Sequence, residues 1–188
     1  MSQTTPDDLL ELLEKAEKGA EGLPPVHKWE PDNQQDIDMR IARDGTWYYQ
    51  GTPIKREKMV RLFSTVIRRD GDDYFLVTPV EKLGIQVDDA PFVATQVEQI
   101  ERDGRRKLVF TTNMGDSVVA GPDHPLEVVK DPETGEPAPY IHIRANLWAL
   151  MDRPVFYHLV DMAEEVLDGD ETAMIIDSDG ERFVVGKF

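Results

Sequence analysis

The chain contains no cysteine. Disulfides, thiolate metal sites and cysteine nucleophiles are therefore excluded. It has no apolar run approaching the roughly 20 residues that cross a bilayer as a helix. Positive charge is scarce: 21 Lys and Arg stand against 37 Asp and Glu, a formal charge of −16. Phosphate attraction needs net positive surface, so this balance argues against non-specific nucleic-acid binding. The excess acid favours solubility. No basic stretch followed by an apolar one marks a signal peptide, and the expected compartment is the cytoplasm.

Catalytic and metal motifs are missing as well. Neither the P-loop pattern nor G-x-G-x-x-G occurs, and there is no G-x-S-x-G elbow. His27, His124, His142 and His158 are scattered, none with H-x-x-x-H spacing, and each reads as structural. The acidic turns at 168–171 and 177–180 lack the alternating oxygen ligands and distal Glu of a calcium loop. Asp and Gly are favoured in such turns for backbone reasons alone. No metal, cofactor or catalytic residue is expected.

What the chain does have is a repeat. Trp47, Pro53 and Ile54 match Trp148, Pro154 and Val155 about 100 residues later. A helical apolar pattern follows each proline: Met59, Val60, Phe63, Val66 and Ile67 in one, Leu159, Val160, Ala163, Val166 and Leu167 in the other. Each runs into a Gly/Asp turn and an apolar strand.

Residues 1–6 are expected to be disordered and 7–20 helical, stopped by Gly22-Leu23-Pro24-Pro25. Ile37, Met39 and Ile41 alternate with charged residues as in a half-buried strand. Asp44-Gly45 reads as a hairpin turn with positive φ open to both residues, and 46–50 returns as a strand. Pro53 fits the first helical position, where its missing N–H costs nothing, and the helix is expected to reach residue 69. Strands follow at 74–79 and 83–87. Further strands at 92–100, 108–112, 117–120 and 126–129 are expected to extend the first sheet, and 131–139 reads as a linker. The second unit has strands at 140–144 and 147–151, a helix over 154–167 and a closing hairpin. The expected fold is α+β and strand-rich, with two tandem ββαββ-like units and an N-terminal helix. Its divisions are 1–36, 37–130 and 131–188.

The copies share an apolar face but differ in charge. The first carries Lys55, Arg56, Lys58, Arg61, Arg68 and Arg69 against Glu57; the second carries Asp161, Glu164, Glu165 and Asp168. Arg61 falls opposite Asp161, and Arg68 opposite Asp168. A solvated basic face is the simple reading. An anion site, with arginine supplying forked contacts to phosphate or carboxylate, is the functional one.

The stretch from Asp44 to Ile54, then Val60-Arg61-Leu62-Phe63-Ser64 and Thr78-Pro79-Val80-Glu81-Lys82, resembles the bacterial family known as domain of unknown function 1285. So do Asp89-Ala90-Pro91-Phe92, Thr111-Thr112-Asn113 and Arg153-Pro154-Val155-Phe156-Tyr157. The resemblance implies a duplicated core whose second half is loosely similar to pleckstrin-homology folds. It also implies a nucleotide-like ligand between the halves and a role in signalling, and it carries over no catalytic residue. The candidate ligand-binding residues are Arg61, Thr78, Glu81, Lys82, Asn113, Arg144 and Arg153. The four cations among Arg61, Lys82, Arg144 and Arg153 would meet negative groups, and Thr78 and Asn113 would hydrogen-bond. Tyr48, Tyr49 and Trp148 could stack on a base but fit core packing better. Two other classes stand beside this one: a protein-interaction module that adds a strand to an exposed sheet edge, and a carboxylate- or metal-dependent hydrolase.

Overall fold

Helices in this protein are short, and strands do most of the building. A computed structural model describes residues 4–14 and 22–188. Within them lie three α-helices and fifteen strands. Residues 1–3, expected to be disordered, and the expected helical stretch 15–20 lie outside the described residues. No described helix is long and apolar enough to cross a membrane. The chain divides into two units, one ending at Pro91 and one starting at Phe92.

The first unit opens with α1 (Pro6–Glu14), which buries Leu9 and Leu13. Strands β1 (Gln34–Ile41), β2 (Trp47–Tyr49) and β3 (Thr52–Pro53) follow, then α2 (Glu57–Ser64). A meander of β4 (Ile67–Asp70), β5 (Asp73–Val77) and β6 (Lys82–Val87) completes one six-stranded sheet, ordered β3-β2-β1-β6-β5-β4. The central pair β1 and β6 is parallel, because α2 and the β4–β5 hairpin carry the chain across. Ile37, Met39 and Ile41 alternate inward as their spacing requires. Trp47, 1% exposed, lies 6.2 Å from the ring of Phe63 on α2. Burying side chains of this size contributes about 1.5–3 kcal/mol each. Among the described residues the indole Nε1 of Trp47 has no hydrogen-bond partner.

The second unit holds two sheets. Strands β7 (Phe92–Arg102), β8 (Arg105–Thr112), β9 (Ser117–Val119), β10 (Leu126–Lys130), β11 (Pro137–Arg144) and β12 (Leu147–Met151) form a sheet ordered β10-β11-β12-β7-β8-β9. Then come α3 (Arg153–Met162) and the three-stranded sheet β13 (Glu164–Asp168), β14 (Glu171–Ser178) and β15 (Glu181–Lys187). Asp152 caps α3 by accepting from the Val155 N–H at 3.0 Å, with Pro154 in the first turn. Ser178 joins the sheets: its hydroxyl accepts from Leu108 N–H at 2.9 Å and donates to Ala120 C=O at 2.7 Å, at 1% exposure.

Hairpin, helix and strand meander thus recur in the same order in both units, as the duplicated spacing predicts. The structure corrects the reading in five places. Both helices stop early. The expected helix to residue 69 ends at Ser64, and the one to 167 ends at Met162; 67–70 and 164–168 are strands. In the first copy the Ser64 and Thr65 hydroxyls bond back to the Arg61 and Leu62 carbonyls, each at 2.6 Å, and close the last turn. The β-branched Val66 and Ile67 then enter a hairpin whose turn holds Gly71 at φ 62°. Pro53 does not start a helix. Gln50 and Gly51, at φ 49° and 79°, form a two-residue turn that pairs Pro53 with Tyr48 at the sheet edge, where a missing N–H is tolerated. At Asp44-Gly45 only Gly45 takes positive φ, 91°, while the Asp44 carboxylate accepts from the Thr46 N–H at 2.9 Å.

The two remaining differences concern organisation. Strands β7 to β10 do not extend the first sheet, since β7 runs parallel to β12 in the second unit. Residues 131–136 are the loop of the β10–β11 hairpin, with Asp131 accepting from the N–H groups of Glu133 and Thr134. The units therefore do not divide at 36/37 or 130/131.

Candidate functional site

The candidate residues fall into two clusters, one in each unit. In the first, Thr78, Glu81 and Lys82 share the turn between β5 and β6. Thr78 is fully buried. Its hydroxyl accepts from the N–H groups of Val80 and Glu81, at 3.3 and 3.0 Å, while its own N–H donates to Glu81 C=O at 2.8 Å. That hydroxyl shapes the turn. The Glu81 carboxylate accepts from the Thr4 hydroxyl at 2.8 Å. Lys82 is engaged too: its Nζ lies 2.8 Å from Asp70 and 4.2 Å from the centre of the Phe75 ring.

Asp70 is the hub of that cluster. Arg68 grips it with two bonds of 3.0 Å. The same guanidinium donates to the carbonyls of Val26 and Trp29, at 2.9 and 2.8 Å, in the arm leading to β1. The bond from Arg68, with Lys82 adding to it, holds the Asp70 carboxyl below the ordinary carboxylate range. Beside this cluster a bowl of about 430 Å³ is lined by Gln34, Asp36, Tyr74, Phe75, Gly84 and Gln86. Gly84 lets the Asp36 carboxylate lie over its backbone, where a Cβ would push that side chain aside.

In the second unit, Asn113 and Arg144 meet at the turn between β8 and β9. Thr112, 3% exposed, accepts from the N–H groups of Met114 and Asp116. This repeats the job of Thr78. The Asn113 side chain accepts from Val93 N–H at 3.1 Å and its backbone N–H donates to Val93 C=O at 2.8 Å. Arg144, at the end of β11, lays its guanidinium 5.0 Å over the Phe92 ring and 3.5 Å from the Asp116 carboxylate. Its side chain is 21% exposed. Burial lowers its pKa from the ordinary guanidinium value, and the Asp116 charge pushes it back up. The result is a cation seated over an aromatic ring and beside a carboxylate, with about a fifth of its side chain exposed.

Arg61 and Arg153 join neither cluster. Both are exposed, and among the described residues neither side chain makes a hydrogen bond or ion pair. Tyr48 packs under Arg40 at 4.7 Å. Trp148 meets the His142 ring edge-on at 5.3 Å.

Sequence reasoning missed the Arg68–Asp70 grip, Asp116, and a histidine pair. His142 Nε2 lies 2.6 Å from Ala145 C=O, which can only accept, so Nε2 carries the proton. His124 Nδ1 then donates toward His142 Nδ1 at 3.3 Å and His142 C=O at 3.2 Å. Nothing in the spacing of these residues signals the pair. It forms because the loop after β9 folds back on β11. A larger apolar groove of about 720 Å³ is lined by Val128, Pro137, Phe156, Val160, Val184 and Phe188.

Comparisons with known proteins cover both units. Residues 24–90 match the family model described as domain of unknown function (DUF1285), N-terminal domain, and residues 91–185 match the model of the C-terminal domain. No curated protein matches the chain. Among solved structures, a DUF1285 family protein from Silicibacter pomeroyi DSS-3 is 49% identical, with a TM-score of 0.84 over 98% of this chain and 96% of that one. A DUF1285 family protein from Shewanella baltica OS155 is 27% identical, with a TM-score of 0.52 over 65% of this chain and 90% of that one.

Proposed function

We propose a ligand-binding role for this chain, which belongs to the DUF1285 family along both of its units. In this reading it binds a small anion, nucleotide-like in character, and serves signalling by that binding. The observation that carries the reading is the Arg144 shelf. A guanidinium stacked on Phe92 and steered by Asp116 is already oriented, so little side-chain entropy is lost when an anion takes its fork. An aromatic floor suits a base or other flat group, and the cation suits phosphate or carboxylate.

A thermal-shift screen of nucleotides, dinucleotides and inorganic phosphate tests it. A ligand at 100 times its Kd adds about 2.7 kcal/mol of stability. Arg144→Ala is expected to weaken a hit by about 10-fold or more, and Arg144→Lys to give no rescue, because lysine lacks the planar fork. Asp116→Asn removes the competing carboxylate and is expected to tighten binding. If no anion shifts the melting temperature, or if a hit binds Arg144→Ala unchanged, the reading fails.

A further inference from the structure

The strand that follows the repeated helix lies at a sheet edge in both copies: β4 closes the first sheet and β13 the three-stranded one. Their surroundings differ. Along β4 every residue is buried or half-buried, and Arg68 reaches over to the carbonyls of Val26 and Trp29 in the arm before β1. Along β13 every residue is exposed. Leu167 is 81% exposed and Val166 40%.

The bonding groups on the open side of β13 can be located. Thr172 of β14 lies opposite Leu167. Both its N–H and its C=O bond to Phe188, on the far side from β13. Leu167 therefore sits in a non-bonded pair, and its own N–H and C=O point out of the sheet, as do those of Glu165 two residues earlier. The side chains of Glu165 and Leu167 share one face, and those of Glu164, Val166 and Asp168 the other. Asp168 is paired with Lys187 at 3.0 Å. Among the described residues Glu165 makes no ion pair.

We propose that β13 is a docking edge for a basic, extended segment of another protein, which adds as a strand beside Glu164–Asp168. Charge selects the occupant. A second copy pairing antiparallel about Val166 would set Glu164 against Asp168 of that copy, and like charges placed opposite one another are destabilising. A segment alternating Lys or Arg with aliphatic residues sets its cations on the face of Glu164 and Asp168, lays its aliphatic side chains over Leu167 and uses the outward backbone groups of Glu165 and Leu167. Acidic edges also guard sheets against self-association. That guard works by the same sign of charge and leaves a basic guest welcome.

The probe is a fluorescein-labelled, end-blocked peptide of about seven residues alternating Lys and Val, enough to lie along one strand. A peptide alternating Glu and Val is the control. Anisotropy at low salt is expected to show the basic peptide binding, the acidic one not, and high salt weakening the complex. Hydrogen exchange is expected to slow at the Glu165 and Leu167 amides. Leu167→Pro removes an outward donor together with the exposed leucine side chain, a change that an edge strand tolerates. It is expected to weaken binding by about 10-fold, as is Glu164→Lys, with circular dichroism unchanged. Equal binding of both peptides, or unchanged binding by both variants, overturns the proposal. So does a dimer that Leu167→Pro dissolves, because that result assigns the edge to a second copy.

Discussion

β4 and β13 occupy the same place in the repeat and meet opposite fates. In β4, Arg68 is 12% exposed, grips Asp70 with both arms of its fork and ties down the arm at Val26 and Trp29. In β13, Asp168 answers Arg68 in the aligned copies, and its ion pair with Lys187 lies at the surface. One duplicated strand became a strut, the other a free edge. Reversing the sign of one side chain is part of that change, because only the basic version can collect backbone carbonyls from a passing segment.

Three measurements can break or sharpen this contrast. The largest effect is expected at Arg68. Arg68→Met leaves the half-exposed Asp70 to Lys82 and strips two carbonyls of their donor, and losing these charge-assisted bonds is expected to cost about 1–3 kcal/mol by urea denaturation. The exposed counterpart, Lys187→Met, is expected to leave the urea midpoint where it was. Equal effects at the two sites would erase the distinction between strut and edge.

A smaller effect, of opposite sign, is expected at the hairpin turns of the two copies. Gly45 takes φ 91° in the first, whereas Ala145 is held at φ 48° in the second. A residue with a Cβ in that region carries a penalty of about 1–2 kcal/mol. Glycine's greater freedom in the unfolded chain offsets part of it. Ala145→Gly is therefore expected to raise stability by about 1 kcal/mol in a thermal or urea melt.

The smallest is a slope. The Asp70 pKa lies below its unfolded value, so between the two the unfolded chain binds more protons and stability rises with pH. The contribution is complete above the ordinary carboxylate value and is lost as pH falls through the folded one. Urea midpoints measured from neutral into acid are expected to fall less steeply in Arg68→Met than in the natural chain. Parallel profiles would remove Arg68 as the cause.

Much of this architecture is legible in the residues. The Trp and Pro frame marks the repeat, Ile37, Met39 and Ile41 point inward as their alternation requires, and Asp103-Gly104 and Asp179-Gly180 make the turns their composition predicts. The helix ends were hidden, because Val66 and Ile67 continue a helical period while Val66 is buried in the turn after the helix and Ile67 in the strand. The partner of β7 was hidden too: a parallel pair such as Ala149 with Phe92 joins residues far apart in the chain, with no local turn to announce it. Of the candidate site residues, Thr78 and Asn113 lie at strand ends and hydrogen-bond within the turns there. Asp116, which steers Arg144, left no sign, since one more Asp in an acidic chain is indistinguishable from the rest.

Trp47 has a consequence of a different kind. Its indole is sealed against Phe63, whereas Trp148 sits half-exposed against an imidazole. An indole sealed in an apolar core emits at shorter wavelength than a solvent-exposed one. The two copies therefore carry optical labels of different colour. In a Trp29→Phe chain, which removes the third tryptophan, denaturation followed by emission spectrum can report the loosening of each unit separately, without an added dye.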